Sequence, residues 1–441
     1  MLLRCFQNPW TKCMLAIGLA LAMPLMATAE PKQLKAWVEK ELDDLSGLYR
    51  HLHQNPELSF QETKTAARMA EEFKKAGFEV TTGVGKMGVI GMLKNGPGPL
   101  VMLRADFDAL PVEEQTGLAY ASKARGVTPE GAETGVMHAC GHDVHMTSLV
   151  GAARYLGSHK DQWQGTVMLL GQPAEELGTG AQAMLDDKLF ERFGKPDYAI
   201  ALHVFPEIPA GKVGYRVGYS MANVDWVDIT LKGKGGHGAY PHTTIDPIVQ
   251  AAELIVSLQT LVSREVKPIE PAVVTVGSIH AGSKHNIISD ECRLQLTVRS
   301  YTDEVRDLLL KGIERKAKAI AQSNRAPEPE LKFTIGTPAL FNDEKLTLKI
   351  RGALENALGK VNVEEREPSM GGEDFGRFGR AGVPILMFGL GAIEEKRLER
   401  MKQLGQPVPS LHSPIFYPDP DIVLTTGVVS MTSAALDLLK K

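Results

Sequence analysis

The chain has 441 residues, 43% of them hydrophobic, with 49 Lys and Arg against 53 Asp and Glu and only four cysteines. This composition excludes collagen-like, coiled-coil and disordered chains, and the cysteines are too few for a disulfide scaffold. The near balance of charge leaves no electrostatic footprint for nucleic acid, and the length accommodates two or three domains.

Arg4 and Lys12 precede an uncharged, mostly apolar run over 14–26, and Ala27-Thr28-Ala29 follows with a small-x-small pattern. Residues 1–29 therefore read as a secretory signal peptide cut after Ala29, which makes the protein periplasmic or secreted. Pro24 and the shortness of the run argue against a stable membrane span, and an uncleaved anchor is the competing reading. After cleavage the chain keeps Cys140 and Cys292. Cys140 stands among histidines and reads as a ligand, whereas Cys292 stands in an alternating run and reads as a packed thiol.

Apolar spacing predicts helices over 34–50 and 63–76, the second stopped by Gly77. Buried strands follow over 100–103, 166–170 and 198–202, separated by helical stretches such as 144–156. This alternation predicts an α/β domain with a largely parallel sheet flanked by helices. After about Gly214 the pattern changes. Alternating runs over 224–232, 273–279 and 291–299, with helices over 246–262 and 302–322, predict a β-α-β-β-α-β unit, an α+β fold of ferredoxin-like order. From about Thr337 the α/β style returns, with a strand over 384–389. The expected organisation is a catalytic domain in two segments, 30–214 and 331–441, with an inserted unit over 215–330.

Polar residues follow the apolar runs. Arg104-Ala-Asp106-Phe-Asp108 closes the first, Gln172-Pro-Ala-Glu175-Glu176 the second and His203 the third, while His138-Ala-Cys140-Gly-His142-Asp-Val-His145 lies between the first two. Sites in open α/β sheets lie beyond the carboxyl ends of the strands, so these acids, histidines and thiol converge on one rim. His, Cys and Glu together are transition-metal ligands, and a thiolate or carboxylate can bridge two ions. Glu175 and Glu176 repel one another unless one ligates and the other works as a base.

These motifs, with Gly-Gly-His237-Gly-Ala-Tyr-Pro-His, His-Asn286-Ile-Ile, Gly-Gly372-Glu-Asp-Phe and Leu-His412-Ser-Pro, resemble the dinuclear metallopeptidase and aminoacylase family. The likeness is nearest to its amidohydrolase branch of hippurate hydrolases, N-acyl-amino-acid amidohydrolases and auxin-conjugate hydrolases. The resemblance implies two divalent ions per subunit, zinc or manganese with cobalt also open. Cys140 would bridge them, His142, Glu176, His203 and His412 would complete the sites, and Glu175 would be the general base. Asp106 would orient a ligand. Arg104 stands where the wider family has a metal-binding His. His237 would hydrogen-bond the developing oxyanion, often from a partner subunit. Asn286 and Arg299 would hold the substrate carboxylate, with a strand-face salt bridge as the other reading for Arg299. Gly372 would let backbone approach the substrate. His138 and His145 read as neighbours of the ligands, and His53 has no assigned chemistry.

The expected reaction is hydrolysis of the amide bond of an N-acyl-L-amino acid, with the inserted unit closing over the substrate and pairing two chains into a dimer. A dipeptidase or carboxypeptidase of the same family and a non-catalytic binding protein are the alternatives.

Overall fold

The computed structural model describes residues 31–441, so the expected signal peptide lies outside the described residues. An eight-stranded sheet forms the larger layer. Across it the strands run Glu79–Val84, Gly88–Asn95, Gly165–Gln172, Leu100–Asp106, Tyr198–Pro209, Ile385–Ile393, Val213–Tyr215 and Val363–Glu365. The four from Gly165–Gln172 to Ile385–Ile393 are mutually parallel, and the strand on each side of them, Gly88–Asn95 and Val213–Tyr215, runs antiparallel to its central neighbour. These central strands are apolar at nearly every position because both faces of the sheet are covered.

Alternate residues feed two cores. Val101, Leu103, Val167, Leu169, Ile200 and Leu202 point to one face, which is covered by helices Pro31–Gln54, Thr63–Lys75, His142–Ser158, Glu344–Leu358 and Pro420–Leu438. Met102, Met168, Leu170 and Met387 point to the other, against Met184, Phe375 and Phe378. Helix Pro420–Leu438 is long and apolar enough to cross a membrane, but two thirds of its most apolar stretch is buried, against Pro31–Gln54 and His142–Ser158.

The second unit is a four-stranded antiparallel sheet in the order Ala272–Ala281, Glu291–Ser300, Asn223–Lys232, Glu330–Ile335. Helices Pro247–Thr260 and Asp303–Ser323 pack on it around Val227, Leu254, Leu294 and Leu309. Asp246 and Thr302 cap these helices by accepting Ile248 N–H and Val305 N–H. The boundary expected at residue 330 needs correction, because that residue begins the sheet's fourth strand, which runs to Ile335. As an edge strand it carries only Leu331 and Phe333 toward the core, too little alternation to register in the sequence.

Candidate metal centre

The helix that starts at His142 is preceded by Gly141, whose φ of +78° and tight approach to Val204 favour glycine. His142 and His145 are three residues apart, so both rings face the strand ends, while Asp143 points away to His53. His142 Nδ1 donates to the backbone carbonyl of Asp108 at 2.8 Å and His203 Nδ1 donates to that of Val204 at 2.8 Å. Each imidazole is thereby fixed in the tautomer that leaves Nε2 as a lone pair. His203 Nε2 is 3.5 Å from Cys140 Sγ. His142 Nε2 has no hydrogen-bond partner and lies 3.9 Å from Glu175 Oε2, 3.9 Å from Glu176 Oε1 and 3.8 Å from Asp106 Oδ2. His412 has a left-handed φ of +67° and is tied by its N–H to the carbonyl of Ala139, which brings its Nε2 to 3.5 Å from Glu176 Oε2.

His145 is a neighbour of these groups rather than an equal of them. Its Nδ1 donates to Asp106 at 2.6 Å, and its Nε2 accepts Val204 N–H at 3.0 Å, so both nitrogens are engaged. Asp106 thus orients His145, and a backbone carbonyl rather than Asp106 fixes His142. The other oxygen of Asp106 accepts from Arg104 at 2.6 Å. Arg104 is fully buried and also donates to Gln172 at 3.0 Å and to Glu373 at 2.9 Å, with Asp374 at 3.5 Å. Where the resemblance pointed to a metal-binding His, this chain has a cation that balances three buried carboxylates.

The acids outnumber the cations. Burial, then Glu373 and Glu176, pushes Glu175 well above the usual carboxylate range. Burial lifts Glu176 to about 8 against the pull of His142, and burial, then Glu176 and Glu175, raises the Cys140 thiol. Burial works against charge on His142, yet Asp106, Asp108 and Glu176 outweigh it and push its pKa up to about 10. Such a cluster is short of positive charge.

A cavity of about 590 Å³ opens on these groups. Glu175, Glu176, His203, His412 and Cys140 line its floor, and Phe205, Met221, Val224, Trp226 and Met370 give it an apolar wall. Arg299 lines the same cavity, with Nε donating to Thr297 at 3.1 Å, and forms no salt bridge among the described residues. Gly372 lies there too, where a Cβ would meet Val224 at 2.3 Å. His237 and Asn286 are not brought to this cavity. Both are exposed on the small ribbon in which Gly236–His237 pairs with Ile287–Ile288, where Gly238 N–H donates to the Asn286 carbonyl. Within one chain neither reaches the cavity, because the ribbon belongs to the second unit.

Several functional neighbours escaped the sequence reading. Asp108 accepts the N–H groups of both Glu175 and Glu176, at 3.1 and 3.0 Å, and so shapes their turn. Glu373 and Asp374 stand in a quoted motif, and two adjacent acids after two glycines were a usable signal for the partners of Arg104. His53 proves to be clamped between Asp143 at 2.7 Å and Glu114 at 3.1 Å. His138 is buried with neither ring nitrogen partnered.

The donor set fits two divalent ions. Ligand atoms of Cys140, His142 and His203 all lie within 4.8 Å of one another, as do those of Cys140, Glu176 and His412, so the thiol is common to both groups. The unpartnered Nε2 of His142 and Oε1 of Glu176 are the kind of orphaned buried atoms that a cation satisfies. Among the described residues Cys140 and Cys292 form no disulfide, which leaves Cys140 available as a ligand.

Residues 102–402 match the description of peptidase family M20/M25/M40. The chain is 41% identical over 335 residues to the N-acetyl-L-cysteine deacetylase of Bacillus subtilis, covering 75% of this chain and 76% of that one. It is 41% identical over 344 residues to the hippurate hydrolase of Campylobacter jejuni, covering 77% and 86%. Its structure resembles that of a dinuclear metal binding peptidase from M20 family of Bacillus subtilis, with a TM-score of 0.72 and 30% identity over 91% of this chain and 99% of the other.

Proposed function

Because the chain belongs to peptidase family M20/M25/M40 and is a metal-dependent amidohydrolase of that family, we propose that it is an exported hydrolase of N-acyl-L-amino acids. The observation that carries this reading is the pairing of Glu175 with Glu176 on the floor of a cavity whose wall is apolar and whose rim holds Arg299. Cys140, His142, Glu176, His203 and His412 would hold divalent ions, which would supply Lewis acidity toward water and the substrate carbonyl. Zinc suits the thiolate and imidazoles, and manganese or cobalt suits the oxygen donors.

Glu175 takes the proton of the attacking water and delivers it to the leaving amine nitrogen. Burial raises its pKa above the ordinary carboxylate range, which makes it a stronger base than an exposed glutamate. Arg299 offers a planar fork to the α-carboxylate of the substrate. Phe205, Trp226 and Met370 pack the acyl group and keep water from it. Among the described residues Glu175 and Glu176 are the carboxylates that line the cavity, and both have other tasks, so none of these residues is left to hold a free α-ammonium. That favours acylated amino acids over unblocked dipeptides. Likeness to enzymes named for hippurate and for N-acetyl-L-cysteine supports the same substrate class.

His237 and Asn286 act on this reading from a second copy of the chain, in a homodimer formed through the inserted unit. Their exposure on one ribbon, outside their own chain's cavity, supports it. The test is release of free amino acid from matched N-acyl-L-amino acids and unblocked dipeptides by the metal-loaded protein. Cleavage of the acylated set is expected. Preference for dipeptides moves the reading to a peptidase with the same site, and no release from either set, with two ions bound, returns it to a binding protein. Glu175→Gln is expected to keep its metal and to lose turnover by at least ~10²-fold.

A further inference from the structure

Glu62, the residue before helix Thr63–Lys75, is fully buried yet does not line the cavity. Its Oε1 accepts Ala174 N–H at 2.9 Å, and its Oε2 has no partner among the described residues. Ala174 immediately precedes Glu175 and has a φ of +48°, a left-handed conformation that the methyl group of alanine disfavours. The next two amides, of Glu175 and Glu176, are held by Asp108. Three consecutive backbone N–H groups, from Ala174 to Glu176, are therefore held by two buried carboxyl groups, with one bond to Glu62 and two to Asp108. Asp108 also touches His142, through both its carbonyl and its carboxylate. Glu62 bonds with no ligand, so its effect on the site passes through Ala174.

We infer that Glu62 is a positioning residue for the general base: by accepting the Ala174 N–H it holds the left-handed turn that aims Glu175 and Glu176 into the cavity. The inference rests on Glu175 being the base. A strained residue persists only where its surroundings fix it, and such strain gathers where a side chain must be aimed. Misplacing a catalytic group by about 1 Å costs on the order of 10²-fold in rate. Burial, with Asp108 adding to it, raises Glu62 to about 8, so at neutral pH it is mostly the uncharged acid. Glutamine then reproduces both its shape and its acceptor.

The test compares Glu62→Ala, Glu62→Gln and Ala174→Gly, singly and with Glu62→Ala combined with Ala174→Gly. The readouts are kcat, KM and the affinity for Zn²⁺ by chelator competition. Glu62→Ala is expected to lower kcat by about 10²-fold with KM changed less than about threefold, and to weaken Zn²⁺ binding about tenfold through the displaced Glu176. Glu62→Gln is expected within about threefold of the parent in all three. Ala174→Gly tolerates the left-handed φ without help, so in the double variant it should restore about tenfold of the lost kcat. Parental kcat in Glu62→Ala, equal impairment of Glu62→Gln and Glu62→Ala, or no restoration by Ala174→Gly overturns the inference. If Glu62→Ala does not fold, Glu62→Met replaces it, and Glu62→Gln still decides alone, since a folded Glu62→Gln enzyme with about 10²-fold lower kcat refutes it. Glu175→Gln run alongside separates the two readings: if it retains turnover the base is wrong, whereas if only the Glu62 variants are silent the base stands.

Discussion

Arg104 carries the heaviest electrostatic burden of any single residue in the catalytic layer. Its guanidinium faces Asp106, Glu373 and Asp374 with no exposure to solvent, and these acids hold its pKa above the ordinary arginine value despite burial. Removing one partner of a buried ionic cluster strands the others, which typically costs about 3–5 kcal/mol. Arg104→Met is expected to lose stability on that scale in urea unfolding, and an unchanged midpoint would show that the three acids are neutral in the folded protein. The candidate ligands were legible from sequence because of where they fall: Cys140, His142, Glu176 and His203 stand just past buried strands or at a helix start. Arg104 and Glu62 were not legible in their roles. A charge at a strand end and a glutamate before a helix usually meet solvent, and only the completed packing buries them.

Two helices are joined by one imidazole. His53 lies in the last turn of Pro31–Gln54, and its Nδ1 meets Asp143 in the first turn of His142–Ser158, while its Nε2 meets Glu114 in the loop between strand and helix. Burial opposes its charge, but Asp143 and Glu114 prevail and raise it from 6.5 to about 9. Its folded pKa exceeds its unfolded one, so its contribution is complete below about 6.5 and is lost as pH rises through about 9. That loss is on the order of 3 kcal/mol. The gap in melting temperature between the parent and His53→Gln is therefore expected to be wide at pH 6 and to close above pH 9. A gap independent of pH would mean that His53 is neutral. The motif around His53 was visible in the sequence, but its partners lie 61 and 90 residues away and the contact belongs to the packing of elements.

At the scale of the whole molecule, the site lies between a sheet domain and an inserted unit, and one chain alone leaves His237 and Asn286 outside it. If those residues work in trans, mixing Glu175→Gln chains with His237→Ala chains makes hybrid dimers in which one of the two sites has both groups intact. Activity is expected to appear on mixing two nearly inactive proteins and to approach about a quarter of the parental value with random exchange, by the symmetry of a two-chain assembly. No recovery, with subunit exchange demonstrated, removes His237 from the partner's site. The sequence made the inserted unit visible through its change of periodicity, but it could not say where the ribbon points, since that depends on the angle between two packed units. The insertion has one more consequence, and it concerns time. Strands Asn223–Lys232 to Glu330–Ile335 form a contiguous stretch, whereas the central strand Ile385–Ile393, helix Pro420–Leu438 and His412 reach the catalytic layer only at the end of the chain. During synthesis the inserted unit can therefore fold before the sheet domain around it is complete, and His412 joins Cys140, His142, Glu176 and His203 only after the whole inserted unit has emerged.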